Sequence, residues 1–378
     1  FDVDSHVTFN IIKLDNDGFF RIRLFYNNLN KYNVKPSNVA NELNDNIGPM
    51  IDFVDNFPPQ LIYYPEDKNT FFDEMHKSFD WHTNAIPYII NNMSPDIILH
   101  DIYSPNQMLT SRWWLGYIDP DSQRYNEVNN QTRQKLMGEV LDMYKRLDIM
   151  VGEILNNTDE NTIVVLSSDH GAVPLNKWVR LNNLFADKGW LKFKINNETG
   201  EPIIDWDNST VIYLKMDNIY IDPNGLDGNW TRSSGIEYDK LRNEVKKVLF
   251  ELIDKKNDIK PVKSVVEWEK VTDYLDLPTD RVGDLIVANV AGYGWNEEMT
   301  DNLEIFSTPL KTGYKQAIYA NETKGMWTPF IIMGPGIKQN HEISTPIEHV
   351  DQYPTIMKSL NYDLPDIVEG SLLNEVFE

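Results

Sequence analysis

The sequence predicts an α/β fold, a mainly parallel sheet flanked by helices with a smaller lobe inserted. Three observations carry that prediction. Leu136, Val140, Met143, Leu147, Met150 and Ile154 recur every three or four positions between about 126 and 155, the period of a helix with one buried face. A polar turn at 156–161 leads into Thr162-Ile163-Val164-Val165-Leu166, a continuous apolar run of strand length, the pattern of a parallel strand covered on both faces. Runs of the same kind recur at 284–288 and 329–333. Helix, turn and buried strand in that order make an α/β unit.

The other elements follow in order. Residues 1 to about 60 alternate short apolar runs with Asn/Asp/Gly turns, and Asn16-Asp17-Gly18 predicts a β-hairpin between Val7–Ile12 and Phe19–Tyr26. Amphipathic spacing from Asn69 to Asn91 predicts one or two helices. Pro95 and Asp96 introduce a strand, Ile97 to Tyr103, stopped by Ser104-Pro105-Asn106. Beyond Pro174 lies a mixed region with short strands around Thr210–Ile221 and a helix from Tyr238 to Asp254. The expected division is therefore an α/β core over 1–174 and 281–378, with 175–280 as an inserted subdomain. The four strands near 97–103, 162–166, 284–288 and 329–333 are expected in one central sheet.

Composition removes several function classes. The chain has 378 residues, 41% of them hydrophobic and 25% charged, enough for a large core. A net charge of −23 with no basic stripe excludes binding to a nucleic acid duplex. Its apolar stretches fall far short of the roughly 20 residues of a membrane span. Cysteine is absent, which removes disulfides, thiolate metal sites and thiol nucleophiles, so any nucleophile is an oxygen. Compartment stays open between cytoplasm and exterior. Sequons at Asn92, Asn130, Asn156, Asn197, Asn208, Asn229 and Asn321 tilt it toward an exported glycoprotein. The start at Phe1, without an initiator Met or signal peptide, is expected to lie inside a longer chain.

The chemistry centres on Ser167-Ser168-Asp169-His170-Gly171. In open parallel sheets ligands sit beyond the carboxyl ends of strands. A carboxylate and an imidazole on one tight turn reach a single cation, and both are ordinary ligands of zinc or manganese. Alone, such a pair is equally a structural turn. His100 and His349 sit beside apolar runs and read as packed or partly exposed histidines. Trp113 and Trp114 read as a core cap rather than a pocket wall. Asp119 and Asp121 read as a solvated turn rather than a calcium site.

These residues have company. The string TIVVLSSDHG with Leu181-Asn182 and Lys188-Gly189-Trp190-Leu191, then Gly283-Asp284-Leu285-Ile286-Val287 with Gly292-Tyr293, resembles landmarks of the type I phosphodiesterase and nucleotide pyrophosphatase branch of the alkaline phosphatase superfamily. So do Phe330 to Lys338, with its Gly-Pro-Gly turn, and Val350-Asp351-Gln352-Tyr353-Pro354-Thr355-Ile356. The resemblance is strongest from about Ile97 onward. It implies a doubly wound, mainly parallel sheet, two metal ions and a Thr or Ser nucleophile from an early segment. That segment is not seen; Asp2, Asp4 and Ser5 match it by residue type alone and read as a frayed terminus. A missing N-terminal segment of the same protein is thus an expected partner, and the nucleophile is expected outside this chain.

The departures from the family pattern all touch one metal. Asn106 stands where the resemblance implies Asp, Thr110 where it implies His, and Lys324 where it implies a further His. An amide, a hydroxyl and an ammonium do not replace those ligands. The expectation is one divalent ion, Zn, Mn, Mg or Ca, held by Asp169 and His170, or none in this fragment. Asn106, Thr110 and Lys324 then border the ester, with Lys324 as a charge stabiliser in place of the second ion. Sulfatase-like relatives resemble that arrangement. The function expected is metal-dependent hydrolysis or transfer of phosphate mono- or diesters, on a small phosphate- or sulfate-ester substrate. The alternatives are a catalytically degenerate member serving in binding or assembly, and a sulfatase-like hydrolase.

Overall fold

A computed structural model describes residues 7–25, 29–51, 67–215, 217–226, 228, 230–275, 277–315 and 323–378. The chain divides into two compact units. Residues 1–114, 128–171 and 328–378 form the first, and 115–127 with 172–327 form the second.

The first unit opens with β1 (Thr8–Leu14) and β2 (Phe20–Phe25), an antiparallel hairpin turned at Gly18, whose φ of 88° suits glycine. Helices α1 (Asn38–Asn46), α2 (Lys68–Met93), α3 (Ser104–Leu109) and α4 (Asn130–Asn156) follow. The Asn129 side chain caps α4 by accepting from the Thr132 N–H at 2.9 Å. Leu136, Val140, Met143 and Met150 form its buried face. Phe71 of α2 is fully buried, with the ring of Trp113 5.6 Å away and that of Trp114 5.2 Å away. The Trp114 indole donates to Glu139 of α4 at 2.8 Å, and Lys68 pairs with the same carboxylate at 2.5 Å. The tryptophan pair belongs to the core.

The α/β class holds, but the ladders differ from the expected single parallel sheet. Strand β3 (Val164–Ser167) pairs antiparallel with a late strand, Phe330–Met333, with Ser167 opposite Phe330. Its residues Val164 to Leu166 are half-buried, not buried on both faces. Residues 97–103 form no ladder; Leu99 is 95% exposed. The run of three apolar residues Ile97 to Leu99 has strand composition, yet without a partner edge its backbone groups find no ladder. Its His100 instead meets His82 of α2, Nε2 to Nδ1, at 2.9 Å.

The second unit contains β4 (Val173–Arg180), β5 (Val211–Leu214), β6 (Asn218–Ile221), α5 (Ile236–Glu251), β7 (Val262–Glu267), β8 (Leu285–Asn289) and β9 (Gly292–Asn296). Every residue of β8 is buried, as its apolar run predicted. It lies between β6 and β7, antiparallel to both, in a sheet of order β5-β6-β8-β7. Burial on both faces marks a central strand without fixing its neighbours' direction. One parallel pairing is present among the described residues, β9 with β4. The first unit resumes with β10 (Phe330–Met333) and α6 (Gln352–Ser359).

Candidate functional site

Asp169 and His170 leave the end of β3 in a short turn. The Ser168 hydroxyl donates to the His170 carbonyl at 3.1 Å, holding that turn closed. His170 Nδ1 lies 2.7 Å from the Gly171 carbonyl. A carbonyl only accepts, so Nδ1 carries a proton, and in the neutral ring Nε2 presents its lone pair. That nitrogen is 3.6 Å from Asp169 Oδ2. The Asp169 side chain is 86% exposed and the His170 side chain 20%. A histidine whose second nitrogen donates to a backbone carbonyl is oriented as metal ligands are.

The donor chemistry therefore fits a divalent cation: one carboxylate and one imidazole nitrogen on the same side of a turn. The pair supplies two ligands where a zinc site needs three or four. Among the described residues, no group of three or more His, Cys, Asp or Glu is placed to hold a metal ion.

Around the same strand end the structure brings Ser167 together with Gln352 and His349, a meeting that sequence spacing did not single out. The Ser167 hydroxyl donates to Gln352 Oε1 at 2.7 Å, and the Gln352 amide lies 2.9 Å from His349 Nδ1. Ser167 and Gln352 stand 185 positions apart, so only the β3–β10 pairing explains their meeting. His349 is exposed, on a short turn closed by a reciprocal Glu348–Asp351 capping box.

Asn106 lies within α3 and Thr110 stands at its carboxyl end. The Thr110 hydroxyl donates to the Asn106 carbonyl at 2.8 Å, beside the Thr110 N–H, which reaches the same oxygen at 2.9 Å. Thr110 is buried and Asn106 partly so. Lys324 opens a short turn, Lys324–Met326, of the second unit; its side chain lies outside the described residues, as do Asp2, Asp4 and Ser5.

Three of the other landmarks, Asn182, Gly189 and Asp284, hold the fold together. Asn182, fully buried, donates to the Tyr213 carbonyl at 3.1 Å and accepts from the Tyr213 N–H at 2.8 Å. Gly189, at φ 77°, closes the helix that precedes it, with the Trp190 N–H on the Phe185 carbonyl at 2.9 Å. Asp284, also fully buried, accepts from the Ile221 N–H and the Tyr238 hydroxyl at 2.7 Å each and from Arg232 at 3.1 Å. Burial pushes its carboxyl up while these donors pull it down.

With this geometry in hand, comparison with known proteins places the chain. A family model described as type I phosphodiesterase / nucleotide pyrophosphatase matches residues 31–314. The chain belongs to that family. No curated protein matches it. Among solved structures it is similar to the human and murine ectonucleotide pyrophosphatase / phosphodiesterase 5. Each is 17% identical at a TM-score of 0.41, with 82% of this chain covering 64% of that one. Phosphonoacetate hydrolase from Sinorhizobium meliloti 1021, in complex with phosphonoacetate, is 12% identical at a TM-score of 0.35. There 69% of this chain covers 50% of that one. The chain thus spans half to two thirds of the length of the structures it resembles. Among the described residues no helix is long and apolar enough to cross a membrane.

Proposed function

We propose that this chain is part of a metal-dependent phosphoesterase that hydrolyses or transfers phosphate mono- or diesters, with Asp169 and His170 holding one divalent ion. The observation that carries the reading is the His170 ring. Its proton is committed to Gly171 and its free nitrogen faces the Asp169 carboxylate 3.6 Å away. An imidazole ligand favours Zn over Ca or Mg. A bound ion supplies Lewis-acid polarisation of a phosphoryl oxygen. In this reading the oxygen nucleophile and the remaining ligands come from outside the 378 residues, and Asn106, Thr110 and Lys324 border the ester. An α/β core over 1–174 and 281–378 carries the site, with 175–280 as an inserted lobe.

A second reading, a non-catalytic member that retains the fold for binding, is favoured by Thr110. Its hydroxyl proton is spent on the main-chain carbonyl of Asn106, so Thr110 is explained by the helix end. One experiment separates the readings. The full-length protein is purified, its Zn, Mn, Mg and Ca content measured, and turnover followed on an aryl phosphate, an aryl diester and an aryl sulfate. The enzyme reading expects about one ion per chain and phosphoester cleavage, both lost in Asp169→Asn and His170→Asn. Metal-free protein without turnover supports the binding reading, and cleavage of the sulfate alone supports a sulfatase-like hydrolase.

A further inference from the structure

The amino-terminal hairpin stands the wrong way round for a solitary molecule. An antiparallel pair that covers a core turns its apolar face inward and its polar face to water. Here the inward face carries Asn10, Arg21 and Arg23 beside the buried Phe25. Asn10 donates to Asp73 of α2 at 3.1 Å. Arg23 is bidentate on Glu74, with contacts of 2.7 and 3.0 Å, and Arg21 pairs with Asp67. The Glu74 and Asp67 side chains are 1% and 0% exposed, so these are buried ion pairs, and breaking one by removing a partner is costly.

The outward face is apolar along its length. The register sets Phe9 opposite Leu24, Ile11 opposite Ile22 and Leu14 opposite Phe20. These side chains are 59% and 56%, 57% and 42%, and 71% and 62% exposed. A bulge between Ile11 and Lys13 keeps this ladder unbroken: the extra residue shifts the alternation by one, so that Leu14 rejoins the face of Ile11. Since a one-residue slip would exchange the two faces, the buried arginine pairs lock the apolar one outward.

We propose that this hairpin face is a dimer interface, closed by the same face of a second copy of the chain. The six side chains leave roughly 650 Å² of apolar surface open on each copy, or roughly 1,300 Å² across two, inside the range of stable interfaces. A ladder of three apolar cross-strand pairs packs on its own copy about a two-fold axis, the commonest symmetry of homo-oligomers. A lipid surface fits less well. The chain carries −23 net charge, and Lys13, on the same hairpin, is neutralised by Asp15 at 2.7 Å, so nothing draws the face to anionic headgroups.

The test is sedimentation equilibrium of the full-length protein beside the double variant Ile11→Glu/Ile22→Glu. The wild type is expected as a dimer and the variant as a monomer, its dissociation constant raised about 100-fold or more, with unchanged far-UV circular dichroism. Because the chain has no cysteine, a single introduced thiol gives a second readout. Ile11 lies near the middle of the face, so Ile11→Cys is expected to oxidise to a covalent dimer, while Asn197→Cys, in an exposed loop, stays monomeric. A wild type that stays monomeric up to roughly 100 µM overturns the proposal. So does a dimer that survives the double substitution, equal cross-linking at both cysteines, or monomeric protein that sediments with phosphatidylcholine vesicles through this face.

Discussion

Lowering the pH should destabilise the first unit through His82. This side chain is 7% exposed, faces His100 across 2.9 Å and has the Trp81 ring edge-on at 5.2 Å. Burial, with a smaller contribution from His100, pushes its imidazole down to about 3. His100 is lowered as well, chiefly by burial, with Asp101 pulling the other way. In the unfolded chain a histidine titrates near 6.5. Between about 6.5 and about 3 the unfolded state binds a proton that folded His82 refuses, so stability is full above that window and falls as the pH drops through it. Each unit of pH inside the window is worth about 1.4 kcal/mol, so by pH 5.5 the loss through His82 is about 1.5 kcal/mol. The assay is the urea midpoint of wild type and His82→Phe at about pH 8 and about pH 5.5, in which the titrations of the carboxylates cancel between the two proteins. The gap between wild type and variant should move by about 1.5 kcal/mol in the variant's favour on acidification. A gap that stays constant within about 0.3 kcal/mol would refute the buried-pair account.

Three further outcomes are expected. Asp284→Asn removes the charge facing Arg232 and points an amide donor at one of three donors, so urea unfolding should show a loss of about 3 kcal/mol; adding Arg232→Met should recover part of it in a double-mutant cycle. Asn182→Leu strips both hydrogen bonds from the Tyr213 backbone inside the core and should cost about 2–4 kcal/mol, read as a lower thermal midpoint. Gly189→Ala puts a Cβ at φ 77° and should cost about 1–2 kcal/mol by the same measurement, whereas Gly138→Ala, in the middle of α4 with open space around it, should be neutral or stabilising.

The sequence by itself determined what depends on local pattern. The 3.6-residue period from Leu136 to Met150 located α4 to within a few residues, and Asn16-Asp17-Gly18 located the hairpin turn. A fully apolar run identified β8 as a buried strand, and ordered landmarks identified the family, whose model spans 31–314. The same landmarks marked Asn182, Gly189 and Asp284 without revealing that they hold backbone rather than substrate. Side-chain type states what a residue is able to bond, and only its neighbours decide which bond it makes.

Tertiary structure alone decided the pairings. Strand direction is absent from an apolar run, since a run buried on both faces reads the same in parallel and antiparallel sheets. That is why 164–167 and 330–333 were recognised as strands while their antiparallel partnership was not. The extended stretch 97–103 shows the converse: strand composition creates no ladder unless another edge presents its N–H and C=O groups. The hairpin shows it most plainly. Alternation in β1 and β2 makes two faces, and which one meets α2 is settled by Asp67, Asp73 and Glu74, carboxylates more than 40 residues away that bind Arg21, Asn10 and Arg23. Alternation is a one-dimensional pattern. The charge that chooses between its two faces comes from a chain segment brought near only by folding.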